Sequence, residues 1–509
     1  MSESSLAPAI QHGLRWAVLR QAVAGVSSTA GVLVYTRFLL PEDLGVATIA
    51  ILVYSALVLL VEVPIRDALI YHREREADYA TAAFWLLLAF SSVAAVLVVL
   101  LAGLLARLYR APELAGLVRA IALAFVFNAL AVVPAALLLK QFRFAAHEGL
   151  RLAGDLVVLG GWVLLAASGW GAWSLILPPV AAGALWAATA WWAAGFRPAR
   201  RLPGDALRGI VRFARSLVGS NLIAYVRDNL DQAVIGTLGQ GPLGWYTLGE
   251  SQSGFALVTV GLPVARVALP AMAAARAHLA ELGRIYLDLL RLAATLTMPM
   301  QVGALVLAEP GLRFFFGEQW LGAVPVLRAY LVFRLAHSLL PMGDAAVSAL
   351  GRPEIRFRVD LAQLPFFVAG IWFGLGVLGG IAGVAWSLAV VRLVAGLIYL
   401  AVTLRLAALP PARALRALLP SSLAAAGMGL AVHWLYLGGA ARRWLPAGLP
   451  RAAADGLHLL ALILAGVVCY LVLLFVLDPP GFRQVLATSW RIVVPGRRGR
   501  EREETTWPS

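Results

Sequence analysis

Apolar runs of membrane-spanning length recur along almost the whole of this 509-residue chain, and no other feature limits its fold so tightly. Windows of about 19–25 apolar residues, bounded by Gly, Pro and charge clusters, mark the candidate spans. They fall near 16–39, 43–71, 79–105, 113–138, 150–168, 171–195, 207–238, 243–270, 286–309, 322–350, 358–378, 381–408, 414–437 and 455–477. Inside hydrocarbon every backbone N–H and C=O must find its partner within the protein, which only helices and closed barrels achieve. These runs have no period of two and are too long for barrel strands. The expected fold is all-α: an integral membrane protein of about fourteen transmembrane helices.

Composition agrees. The chain is 61% hydrophobic and 14% charged, with a mean hydropathy of +0.82. Soluble domains lie nearer 45–50% apolar and about 25% charged, so this chain lacks the polar surface to stay in water. Its net charge of +15 does not point to nucleic acid, because the arginines sit in short loops between spans. The last segment, GRRGREREETTWPS, mixes signs and reads as a solvated tail. One cysteine, Cys469, excludes an intrachain disulfide and a cysteine-based metal site. The N-terminus lacks a signal-peptide pattern, so the first span is expected to remain in the protein. Walker, G-x-S-x-G and H-E-x-x-H motifs are all missing from the sequence, and no loop is long enough to hold a soluble domain. Neither an enzyme nor an ATP-driven pump is expected, and no cofactor.

The arginines give orientation. With a cytoplasmic N-terminus, the inner loops hold about fifteen basic residues and the outer ones about six, and both termini are cytoplasmic. The outer turns PEDLG, SGWG, GQGPLG and LGVLGG hold none.

The chain also repeats itself. YTRFLLPEDLG at 35–45 lines up with IGTLGQGPLG at 235–244, and Gly171-Ala-Trp-Ser-Leu175 with Val384-Ala-Trp-Ser-Leu388. FRF at 142–144 and RFR at 356–358 occupy equivalent inner loops. The expected organisation is an N-lobe at 1–200 (spans one to six), a C-lobe at 201–409 (spans seven to twelve), two further spans at 410–480 and a cytoplasmic tail at 481–509. Six spans is an even number, so the lobes form a parallel repeat, with a substrate site expected between them.

Charges inside such spans are costly, about 2.5–3.5 kcal/mol each at a helix centre on insertion scales, and are functional candidates by default. In the seventh span Asn221, Tyr225, Asp228 and Gln232 share one face, and Arg227 and Asp231 are four apart and able to pair. That face either lines a central cavity or forms a water-satisfied cluster near the outer interface. In the tenth, Tyr330, Arg334, His337, Asp344 and Ser348 form a stripe interrupted by Pro341. Arg334 near mid-span suits bidentate binding of a phosphate or pyrophosphate, or else holds helices together through Asp or His. Glu62 and Arg66 are spaced to neutralise one another, and Glu250 and Arg266 lie in the eighth span. His433, His458 and Cys469 read as packing residues.

The pieces TRFLLPEDLGVATIA, ALIYHREREADYATAAFWLLL, APELAGLVRAIALAF and PAALLLKQFRF form an ordered series. It continues through DNLDQAVIGTLGQGPLGWYTLGES, LPVARVALPAMAAAR, FFGEQWLGAVPVLRAYLV and ALGRPEIRFR. In order and spacing over about residues 10–410 they resemble the Wzx/WzxC-type polysaccharide flippases of the multidrug/oligosaccharidyl-lipid/polysaccharide exporter (MOP, MATE-like) superfamily. The resemblance implies two six-helix lobes around a V-shaped cavity. It also implies transport of undecaprenyl-diphosphate-linked oligosaccharide across a bacterial inner membrane by alternating access, for lipopolysaccharide O-antigen, capsule or exopolysaccharide. Membrane lipids, a polysaccharide polymerase and other assembly proteins are the implied partners. Cationic cavity residues would hold the pyrophosphate and an acid the coupling ion, H+ or Na+. By position and chemistry the candidates here are Arg227, Arg334 and Arg66 for pyrophosphate, and Asp228, Asp231 and Glu250 for the ion. Asn221, Tyr225, Gln232, Tyr330, His337 and Asp344 are candidates to line the cavity. EVPIRDALI departs from the pattern, carrying Glu62 and Pro64 where relatives often have Asp-Leu-Gly. The alternatives are a MATE-like cation-coupled antiporter of small amphipathic molecules, which should favour carboxylates over arginines, and a membrane glycosyltransferase or polymerase, which should carry a large outer loop.

Overall fold

The computed structural model describes residues 16, 20, 21, 23, 25, 31–71, 75–141, 143–200, 202–352, 354–438, 450–479 and 482. All its regular structure among these residues is helical. Eleven described helices are long and apolar enough to cross a membrane. One of them, Glu354–Leu406, contains two of the expected spans, because Gly379 and Gly380 take φ of +80° and +64° and turn the chain back. Gly204–Gly236 is a further helix of 33 residues that its charges, not its length, set apart. The first window is helical where described, ending at 31–35. Each of the fourteen expected windows therefore falls on a helix. Arg73 and Arg201 of the expected inner loops, Arg442 and Arg443 of an expected outer loop, and the tail apart from Phe482 lie outside the described residues.

Spans two to fourteen are Pro41–Tyr71, Glu76–Leu108, Leu114–Lys140, Phe144–Ala167, Trp173–Ala194, Gly204–Gly236, Gln240–Ala274, Leu279–Val306, Glu318–Ala349, Glu354–Phe373, Gly380–Leu406, Pro411–Leu437 and Arg451–Leu477. The third shows what a lipid solvent does to burial. Its large side chains Val93, Val96, Leu97, Leu100, Leu101 and Leu104 point outward, while Ser91, Ala95, Val98, Ala102 and Ala106 face the protein. Lipid tails are as apolar as leucine, so small residues go to helix interfaces, where they let backbones close up.

By packing the chain forms two compact units, Met1–Leu248 with Phe315–Ala323, and Gly249–Phe314 with Val324–Ser509. The seventh span belongs to the first unit by its packing on the second and third. In the first unit the fourth span is central, packed by its alanines against the second, third and sixth. In the second unit the ninth span holds the thirteenth and, through it, the fourteenth. Polar contacts join them: Thr295 and Ser421 hydroxyls lie 2.8 Å apart, the Tyr470 hydroxyl donates to Thr295 O at 2.7 Å, and Arg291 pairs with Asp478.

Within the first unit the repeated turns meet as equals. A Cβ on Gly45 would lie 1.9 Å from Gln240 O, and a Cβ on Gly244 1.9 Å from Pro41 O. Residues 45 and 244 are 199 apart, as are 41 and 240, so each turn presses its glycine onto the carbonyl of the other. Only glycine permits that approach.

The second span carries a π-helical turn, Val58–Glu62, and the eighth carries another, Leu257–Gly261. The same 199-residue offset relates them, and Pro64 and Pro263 follow each by two residues. In the first turn the Val63 N–H reaches back five residues to Val58 O, and in the second Leu262 does so to Leu257 O. The proline explains the rest. Pro64 has no N–H to offer Leu59 O, and the Asn221 amide donates to that carbonyl instead, at 2.9 Å.

Candidate functional site

In the first unit the seventh span spends much of its polar face on helix packing. Asn221 serves Leu59 as described, and the Tyr225 hydroxyl donates to Leu52 O at 2.6 Å. Gln232 is half-buried, and its backbone N–H donates to Asp231 Oδ1 at 3.0 Å. Arg227 Nε and Nη2 donate to Asp228 at 2.8 and 2.9 Å. Asp231 is fully buried and accepts from the Tyr246 hydroxyl at 2.7 Å. Asp228 is exposed.

The expected neutralisation of Glu62 by Arg66 is also revised. Arg66 Nη2 is 3.1 Å from Asp67 Oδ1, with both side chains more than a third exposed. Glu62 is 8% exposed, and its Oε1 is buried with no hydrogen-bond partner. Near it Asn128 Nδ2 donates to the Tyr54 hydroxyl at 2.6 Å, bridging the fourth and second spans. A separate cluster joins the first span to the fifth: Arg20 donates to Glu148 at 2.5 Å and to Asp155 at 3.2 Å, and His147 lies 3.0 Å from Glu148.

In the second unit the tenth-span stripe splits in two. The helix Val324–His337 ends, Ser338 and Leu339 turn, and Leu340–Ala349 resumes with Pro341 in its first turn. Tyr330, Arg334 and His337 stay together on the first piece. Asp344, on the second, accepts from Arg356 at 3.2 Å and from the Tyr399 hydroxyl at 2.7 Å.

Around the first piece lies the richest cluster of charge. Arg334 Nε donates to Ser253 Oγ at 3.0 Å, and Ser253 in turn donates to Glu250 O at 2.6 Å. Glu250 pairs with Arg392 across 3.8 Å, the two side chains 15% and 14% exposed. The Arg392 guanidinium carbon is 5.0, 5.4 and 5.6 Å from the ring centroids of Phe367, Tyr330 and Phe333. Three ring faces replace part of its lost hydration and fix its position. The His337 ring lies 4.6 Å from Phe333, tilted by 46°, and the Phe333 ring also lies 5.8 Å from Arg334. The eighth, tenth, eleventh and twelfth spans thus bring two guanidiniums and a carboxylate to one place.

Sequence reasoning reached Arg334 and Glu250 but missed Arg392. Its signal was present: one arginine in SLAVVRLVAG, with no acid within reach on its own helix. The four-residue spacing of Glu62 and Arg66 predicts a pairing that the structure does not form.

A multi-pass helical fold of this kind is shared with solved transporters. The chain superimposes on the lipid II flippase MurJ in an inward closed conformation with a TM-score of 0.73, at 15% identity, over 93% of this chain and all of that one. On an inward-facing multidrug resistance MATE family transporter of the MOP superfamily the TM-score is 0.57 at 15% identity, covering 77% and 98%. The fold is the MOP, MATE-like fold. Residues 34–325 match the family model described as polysaccharide biosynthesis protein, and the chain belongs to that family. It is 23% identical over 384 residues to the lipopolysaccharide biosynthesis protein WzxC of Escherichia coli (strain K12), covering 73% of this chain and 76% of that one.

Proposed function

We propose that this chain is a flippase that moves undecaprenyl-diphosphate-linked oligosaccharide across a bacterial inner membrane by alternating access, for assembly of a surface polysaccharide. It is a transporter and not an enzyme. Family membership and the E. coli relative support the polysaccharide class, and the shared fold supports a carrier. The observation that carries the substrate chemistry is that Arg334 and Arg392 both lie by the Phe333 ring, the first bonded to Ser253 and the second paired with Glu250. Guanidiniums are planar forks that match the oxygens of a pyrophosphate two at a time. Glu250 holds Arg392 while no phosphate is bound, and an arriving pyrophosphate competes for that arginine. Both termini lie on the cytoplasmic side, a proton or sodium gradient drives the cycle, and a polymerase receives the product.

The test is export in cells that depend on this gene. Arg334→Ala, at normal abundance in the membrane, should lower surface polysaccharide at least about tenfold, the loss expected for a charge-assisted contact of about 1.5–3 kcal/mol, with lipid-linked repeat units accumulating inside. Arg334→Lys should recover only part, because the fork is lost. Normal export by Arg334→Ala would remove the pyrophosphate clamp from this site.

A further inference from the structure

The second unit contains an apolar cavity that its charged cluster does not use. The thirteenth span packs on the ninth and the twelfth on the tenth, and the cavity is the gap between these two pairs. Its volume is about 280 Å³, nearly twice the roughly 150 Å³ of an engineered cavity that takes up benzene. One wall is the break in the tenth span, where Leu339, Leu340 and Gly343 face it. Gly396 on the twelfth leaves the room open: a Cβ there would meet nothing closer than Leu340 at 3.8 Å. Leu397, also on the lining, is 52% exposed, so the cavity opens on the outside of the unit. The hydroxyls of Tyr399 and Thr403 are turned to protein partners, Asp344 at 2.7 Å and Tyr399 O at 2.9 Å. Water needs two to four polar partners and finds few on such walls, whereas hydrocarbon needs none.

The charge at one end of the cavity says what kind of hydrocarbon. Thr403 and Leu418 line it, and the turn between them joins the twelfth span to the thirteenth. This stretch carries Arg405, Arg413 and Arg416, all exposed, and no Asp or Glu occurs from Gly380 to Leu437. None of the three side chains has a hydrogen bond or ion pair among the described residues. Other arginines of the unit are paired, Arg291 with Asp478 and Arg356 with Asp344 and Asp360. The ninth span adds Arg284, with Glu281 and Asp288 exposed on the same helix. Thr403 is three residues from the end of its helix, about one helical turn. An apolar slot thus ends close to unpaired guanidiniums, which attract anionic headgroups at a membrane surface.

We propose that the second unit holds one anionic phospholipid, with an acyl chain in the gap between the two helix pairs and its phosphate on Arg405, Arg413 and Arg416. Its place in the inner leaflet rests on the orientation proposed above; the binding itself does not depend on the transported substrate. The volume admits part of one acyl chain and not a long polyprenyl chain. Lying against Leu339 and Leu340, the chain fills space that the break in the tenth span leaves unpacked. It thereby supports the segment that separates Arg334 from Asp344.

The experiment is native mass spectrometry of the purified full-length chain released from nanodiscs of equal phosphatidylglycerol and phosphatidylethanolamine. Wild type should keep one phospholipid per chain and prefer phosphatidylglycerol at least about fivefold, the effect of one arginine near an anionic surface. Gly396→Leu, whose side chain would enter the cavity, should lose the bound lipid without a fall in thermal midpoint. A chain carrying Arg405→Gln, Arg413→Gln and Arg416→Gln should keep a lipid but bind the two headgroups equally. Equal retention by wild type and Gly396→Leu would overturn the site. Should Gly396→Leu fail to fold, the arginine variant decides alone, and an unchanged headgroup preference would overturn the assignment. Displacement of the phospholipid by added undecaprenyl phosphate would also overturn it, in favour of the tail of the transported lipid. Normal export by Arg334→Ala would count against the pyrophosphate clamp and leave lipid retention unaffected.

Discussion

The two π turns occupy the same place in the repeat, yet the halves have put their charge in different positions around them. In the first, the turn ends in Glu62, and the link from the preceding turn of helix to the fourth span is neutral, Tyr54 to Asn128. In the second, the turn ends in Gly261, and the link to the tenth span is an arginine, Ser253 to Arg334. Tyr54 and Ser253 are 199 residues apart, like the turns themselves. Aligning Pro134 with Pro341 brings Asn128 within one residue of Arg334. One scaffold thus carries a buried acid in the first case and an arginine held by a serine in the second.

Four single substitutions test how deep that difference runs. The largest effect should come from Arg392→Ala, which leaves Glu250 without this ion partner in a largely buried setting. Removing one partner of a buried pair costs about 3–5 kcal/mol, so the thermal midpoint should fall sharply and Glu250→Gln in the same chain should restore part of it. An unchanged midpoint would mean that the second-half charges are not held as the structure shows. Next come Gly45→Ala and Gly244→Ala, whose new methyls would press on opposing backbone carbonyls. Each should lose stability near the top of the roughly 1–3 kcal/mol range for overpacking. The two losses should agree within about 0.5 kcal/mol, near the error of such comparisons. Clearly unequal values in unfolding measurements would break the reciprocity of the repeated turns. The smallest effect belongs to Gly261→Ala. Its tight 3.0 Å contact with Ser338 O is offset by a helix-propensity gain of about 1 kcal/mol, so the unfolding midpoint should barely move. A large loss there would show that the second π turn depends on glycine as the first does not.

Local rules read the scaffold well and the site only in part. Arg334 and Glu250 stood out as charges in apolar runs. Their companion Arg392 lies 142 residues beyond Glu250, and no spacing rule connects them. The four-residue rule even misdirected, assigning Arg66 to Glu62. In the structure Arg66 sits on the adjacent Asp67. An i, i+4 pair brings only about 0.2–0.5 kcal/mol to an isolated helix, too little to compete with contacts that neighbouring helices impose on buried groups.

The sequence alone determined that this chain crosses a membrane as helices, where those helices lie, and that its first hairpin returns 199 residues later. Those properties follow from hydrocarbon solvation and chain length, which act residue by residue. Tertiary structure decided which carbonyls press against Gly45 and Gly244, which rings enclose Arg392, and that Glu62 is buried with an oxygen unfilled. Those are properties of distance between segments far apart in the chain, and a buried charge takes its meaning from whatever the fold sets beside it.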